Sequence, residues 1–219
     1  MAQPQSPAPR RFRWLFRLLL LALSGWAGAS WWAGNQLAHP SRRLLQDYHE
    51  EFLGHPASHG VTVRAFTADS FDTPCLLVEP IADGSLGLRG KRIREQLQAR
   101  TIPLRPPGEI TGNLMLLHGR RGRKEDYLLI AERFAAVGFR SVIPDLPGHG
   151  EHPDPLATYG VREWTLPAAL LAEAAQKFSF DGSKAGLVGI SMGGAVAIHA
   201  AALHPGPWSS VVVLSTFDT

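Results

Sequence analysis

From residue 113 to residue 215, short apolar runs alternate with stretches of helical pattern, and this alternation constrains the fold more than any other feature. NLMLLHG, starting at Asn113, reads as a buried strand running into a turn. Residues 126–137 carry an amphipathic helical pattern closed by Gly138. Residues 140–144 read as a strand, and residues 159–178 as a helix interrupted or kinked at Pro167. Residues 184–190 read as a strand, residues 191–202 as a helix of small residues, and residues 209–215 as a last strand. Strands that are apolar on both faces, separated by helices of about a dozen residues, predict a mostly parallel sheet covered on both faces.

Upstream, VTVRAFTA at residues 61–68 alternates and predicts a strand, with a second at residues 73–79 and a turn between them. Residues 80–110 contain an arginine-rich stretch, then Pro103, Pro106 and Pro107, and read as a rim insertion with a short surface helix. Residues 39–60 are polar and read as a linker or stalk before a main domain at residues 61–219.

The N-terminus is different in kind. Arg10, Arg11, Arg13 and Arg17 precede 21 positions, residues 18–38, that hold no charge. A basic tail followed by about 20 mostly apolar residues predicts a membrane anchor with the tail in the cytoplasm and the rest exported. A cleaved signal peptide is the alternative, giving a secreted or periplasmic product, because small residues such as Ala27 and Ala29 follow the leucine run. These four arginines exceed the whole net charge of +3, so the remaining chain has no basic surplus and nucleic-acid binding loses its compositional support. The single cysteine, Cys75, excludes an intrachain disulfide and a cysteine-based zinc cluster, and the nine histidines form no HExxH pair. No Walker loop or dinucleotide GxGxxG is present, so neither a metal nor an organic cofactor is expected.

Gly189-Ile190-Ser191-Met192-Gly193 is a GxSxG sequence placed between an apolar strand and a small-residue helix. A turn that sharp forces Ser191 into strained backbone angles and lifts its hydroxyl above the sheet. Gly189 and Gly193 remove side chains that would collide across the bend, Gly194 lets the helix approach the sheet, and the helix start aims N–H groups at the site.

Together with His118-Gly119 after the central strand and DLPGHG from Asp145 to Gly150, this pattern resembles the α/β-hydrolase family over roughly residues 61–219. The resemblance implies a serine hydrolase of the lipase, esterase or peptidase-like type, with Ser191 attacking an acyl carbonyl and forming an acyl-enzyme. It implies an oxyanion hole made by the backbone N–H groups of Met192 and Arg120. It also implies that His118 supports the oxyanion turn and that Asp145 is a structural carboxylate. Ser191 argues against chemistries on this fold that use an aspartate nucleophile. The run at residues 120–124 offers charge to an anionic substrate group or lipid surface, or is a solvated loop.

In the family an acid and then a histidine follow the serine. Here only His199, His204 and Asp218 do so. His199 lies about 12 Å along the elbow helix and His204 farther, out of reach of the hydroxyl. Asp218 is the candidate triad acid, and no triad histidine is present, so the chain reads as C-terminally truncated and inactive as written. The complete parent protein is then expected to hydrolyse a carboxylic ester, thioester or amide of a small or lipid-like acyl substrate. The alternatives are an inactive fragment and a non-catalytic binding protein that keeps the fold. Neither substrate nor oligomeric state follows from the residues.

Overall fold

The computed structural model describes residues 10–204 and 206–216. The chain divides into two units, residues 1–39 and residues 40–219.

Among the described residues the first unit holds one helix, α1 (Arg10–Ala38), of 29 residues. Its charge-free stretch includes Gly25, Gly28 and Gly34, two serines, Asn35 and Gln36, which dilute the leucine run. No helix among the described residues is long and apolar enough to cross a membrane. The expected transmembrane segment is therefore not met, for lack of apolarity rather than length.

The second unit is built on a six-stranded sheet: β1 (Val61–Ala68), β2 (Thr73–Pro80), β3 (Gly112–Leu117), β4 (Phe139–Pro144), β5 (Ala185–Ile190) and β6 (Trp208–Leu214), in the spatial order β1-β2-β4-β3-β5-β6. β4, β3, β5 and β6 run parallel, while β1 and β2 pair antiparallel with each other, and β2 is antiparallel to β4. The hairpin, the parallel strands and their boundaries lie where the apolar runs place them.

Alternation of side chains across the pleat divides the core in two. Leu77, Met115, Leu117, Val142 and Leu187 point to one face, against Leu170, Leu171 and Ala174 of α5 (Leu166–Phe178) and Val196, Ala197 and Ala200 of α6 (Met192–Leu203). Leu76, Val78, Leu114, Leu116, Ile143 and Val188 point to the other, against Tyr127 and against Leu128, Ala131 and Ala135 of α4 (Leu128–Ala135). Each fully buried leucine removes enough apolar surface to contribute about 1.5–3 kcal/mol. β6 is mostly exposed, with Val212 at 49%.

Three expectations change. Residues 40–60 are no free stalk: α2 (Asp47–Gly54) buries Phe52 in the second core, beside Val61 and Leu76. Pro167 does not kink a helix but sits in the first turn of α5, where its missing N–H costs nothing. The helix expected over residues 126–137 is shorter: its first residues belong to a 3-10 turn over Lys124–Tyr127, and the α-helix spans only Leu128–Ala135. The insertion between β2 and β3 carries α3 (Leu88–Ala99), held by Arg94, which donates to the carbonyls of Ala136 and Arg105 at 2.8 Å each.

β3 and β5 are neighbours whose following helices, α4 and α6, pack on opposite faces of the sheet. Diverging connections leave a crevice beyond the carboxyl ends of those two strands, which is where open α/β sheets bind ligands. His118 and Ser191 are the residues at that edge.

Candidate active site

Ser191 occupies the bend between β5 and α6 with φ 52° and ψ −119°. A positive φ at a residue with a Cβ costs about 1–3 kcal/mol and persists only where neighbours impose it. Two contacts impose it here. A Cβ on Gly189 would overlap the carbonyl of Gly193, and one on Gly193 would overlap the carbonyl of Leu117 and come within 2.6 Å of the His118 oxygen. The helix start is thus pressed onto both strands, which only glycines permit. The bend is fixed from its far side as well: the Ser191 N–H donates to the Leu214 carbonyl at 2.9 Å, and the Thr216 hydroxyl to the Ser191 carbonyl at 3.0 Å.

The Ser191 side chain is half-buried, and among the described residues nothing hydrogen-bonds to its Oγ. Gly119, just after β3, faces it: a Cβ there would lie 3.3 Å from the Ser191 Cβ and 3.9 Å from Oγ. Met192 is the first residue of α6, so its N–H has no partner within the helix. Arg120 follows Gly119 in the turn after β3.

A family model described as the alpha/beta hydrolase fold matches residues 112–219. Residues 112–219 carry the alpha/beta hydrolase fold. An esterase from Pyrococcus furiosus is 16% identical with a TM-score of 0.50, covering 77% of this chain and 54% of that one. A putative lipase from Acinetobacter baumannii is 17% identical with a TM-score of 0.48, covering 81% and 48%. These likenesses are of fold alone, and the chain spans about half the length of the solved structures it matches. No curated protein matches its sequence.

The loops after β3 and β4 are tied together beneath the candidate site. His118 is fully buried, donates from Nδ1 to the Gly119 carbonyl at 2.9 Å, and accepts the Leu146 N–H on Nε2 at 3.0 Å. Both nitrogens are engaged and burial lowers its pKa, so it is a neutral support for the turn and not a base. His149 is equally buried, its ring 5.1 Å from that of His118, with Nδ1 on the Pro147 carbonyl at 2.8 Å. Burial, with His118 beside it, pushes its pKa down to about 4.

Asp145 accepts the Lys124 and Glu151 N–H groups at 2.8 and 2.9 Å and the Lys124 ammonium at 2.9 Å. Burial would raise its pKa, but Lys124 and these hydrogen bonds outweigh that and leave it lowered. The arginine-rich run is accordingly two things. Arg123 and Lys124 are buried and paired with Glu125, Asp145 and Glu151, while Arg120 and Arg121 are exposed.

The remaining candidates are placed as follows. Gly194 packs against Thr216, where a Cβ would come within 2.6 Å. His199 lies against Gly160, and His204 ends α6 with its ring 6.5 Å from that of Trp164. Asp218 lies outside the described residues. Cys75 is buried with its thiol pKa pushed up, which makes it inert. Among the described residues no cluster of His, Cys, Asp and Glu could hold a metal ion.

One group of site residues escaped the sequence reading. Arg42 donates to the His152 carbonyl at 2.6 Å, Arg43 pairs with Asp126 at 3.2 Å, and Arg121 donates to the Ser41 hydroxyl at 3.0 Å. Residues 41–43 therefore lie along the turn after β3 and wall a cleft of about 540 Å³ with His118, Gly119 and Ile190. The signal that could have found them is the pair Arg42-Arg43, ahead of the buried face of α2.

Proposed function

We propose that this fold carries the nucleophile and oxyanion hole of a serine hydrolase acting on a carboxylic ester, thioester or amide. Ser191 Oγ adds to the acyl carbon, and the N–H groups of Met192 and Arg120 stabilise the oxyanion. Collapse breaks the bond to the leaving group, which takes the proton first passed from Ser191 to a histidine base, and water then cleaves the acyl-enzyme. The observation that carries this reading is the positive φ at Ser191, enforced by two glycines, with its side chain facing Gly119. Asp218 is proposed as the acid that orients the base.

A non-catalytic acyl-binding protein is the second reading. It is favoured by one fact: the histidines that follow Ser191 in the described residues are placed elsewhere, His199 against Gly160 and His204 beside Trp164. Fluorophosphonate labelling of the protein as its cells make it separates the two. Label on Ser191, lost in Ser191→Ala, supports the hydrolase; a well-folded protein that takes no label rejects it.

For the first unit we propose association with a membrane surface rather than a span, with the hydrolase unit exported. Exposed Leu18, Leu19, Trp26, Trp31 and Trp32 on α1, following Arg13 and Arg17, support that placement. Release from cell membranes by alkaline washing, together with protease access on intact cells, tests it.

A further inference from the structure

We propose that the cleft between residues 41–43 and the oxyanion turn is an anion-binding subsite, which gives the hydrolase a substrate bearing a phosphate or carboxylate beside its acyl group. This rests on Ser191 being the nucleophile. Among the described residues the cleft is lined by the guanidinium groups of Arg42, Arg43 and Arg121, with Arg120 beside them, and by one carboxylate, Asp126. Asp126 is already committed, lying 3.2 Å from Arg43 and 3.1 Å from His49. The bonds that position Arg42 and Arg121 end on a carbonyl and a hydroxyl, which hold the side chains without neutralising them.

Arginine cannot be deprotonated in a protein, and its planar fork matches the oxygens of a phosphate or carboxylate. Convergence of several such forks from two chain segments separated by about 80 positions is not the arrangement of a merely solvated loop. The volume, about 540 Å³, lies in the range of sites for small organic ligands. Its position sets the order of groups in the substrate. Gly119 lines the cleft and also faces the Ser191 hydroxyl, so an anion held there sits next to the acyl carbon and not at the end of a long chain. An anion of this chemistry belongs either to a soluble acyl ester or to a lipid headgroup.

The test uses the whole 219-residue chain and reads binding, not turnover. In calorimetry with inorganic phosphate at low ionic strength, Arg121→Asn and Arg42→Gln are each expected to weaken binding about tenfold. Arg92→Gln removes an exposed arginine of α3 outside the cleft and is expected to leave binding unchanged. Arg121 has φ 62°, a conformation asparagine tolerates, so this variant keeps the turn even if loss of Arg42 loosens the arm.

Co-sedimentation with phosphatidylcholine vesicles, with and without phosphatidylglycerol, assigns the source. Pelleting on anionic vesicles that falls in Arg121→Asn points to a headgroup, pelleting that does not fall points to a soluble anion, and both support the subsite once phosphate binding depends on the arginines. Absence of phosphate binding, or binding indifferent to both cleft variants, overturns it. Labelling of Ser191 by a neutral fluorophosphonate is scored separately. Label without phosphate binding rejects only the subsite, whereas phosphate binding without label rejects only the serine reading.

Discussion

Lys124 and Asp145 form an ion pair of 2.9 Å with side chains 4% and 0% exposed, joining the loop after β3 to the loop after β4. A buried pair of this kind is costly to break from one side, because the surviving charge is left without a partner. Lys124→Met is expected to lower unfolding stability by about 3–5 kcal/mol. The double variant Lys124→Met/Asp145→Asn should recover part of the loss, because no bare carboxylate remains. Urea denaturation of the three proteins checks this. Asp145 has a lowered folded pKa, so its contribution is present above the unfolded value of about 3.9 and disappears as pH falls through the lower folded one.

His149 gives a second pH dependence, in a different window. Its folded pKa is pushed down to about 4, against an unfolded value of about 6.5. Between the two the unfolded chain binds a proton that the native state refuses, so stability rises with pH and is complete above about 6.5. The expected loss on acidification to pH 4 is on the order of 3 kcal/mol. His149→Asn keeps a donor for the Pro147 carbonyl and removes the titration. Its urea midpoint should change distinctly less than wild type between pH 7 and pH 4, and an unchanged slope rejects the assignment.

Strain at the elbow predicts an inverse relation between stability and labelling. Ser191→Gly relieves the positive φ and should be neutral or up to about 1–2 kcal/mol more stable, net of the added freedom of the unfolded chain. The same variant should take no fluorophosphonate. Thermal melts and labelling on one preparation read both quantities.

Gly193→Ala tests the packing that creates the strain. Its Cβ would overlap the Leu117 carbonyl, and backbone cannot swing aside as a flexible side chain does. A loss of more than about 4 kcal/mol, or failure to fold, is expected and would show as reduced soluble yield. Gly28→Ala, in α1 with nothing within 4 Å of the new Cβ, is the tolerated comparison.

The parallel sheet and the elbow were legible because both are written in consecutive residues. Leu114 to Leu117 is apolar at every position since both faces are covered, and Gly189, Ser191 and Gly193 sit within five residues of one another. The arm was not legible, because its placement depends on Arg42 reaching a carbonyl 110 positions away. The charge run at residues 120–124 is uniform in sequence, yet burial separates it: Lys124 is buried and Arg121 exposed, a distinction made only when Asp145 arrives from the next loop. In α1 the basic tail and the leucine run suggest a span, but glycines and amides lower the apolarity of residues 18–38 without adding charge.

The pressing of α6 onto Leu117 has a bearing on how such a molecule can be re-engineered. The crest that holds the hydroxyl admits almost no alternative amino acids, whereas Arg42, Arg43, Arg120 and Arg121 are exposed on the rim. A combinatorial library aimed at new selectivity should therefore randomise those rim codons and leave the glycine-lined crest untouched.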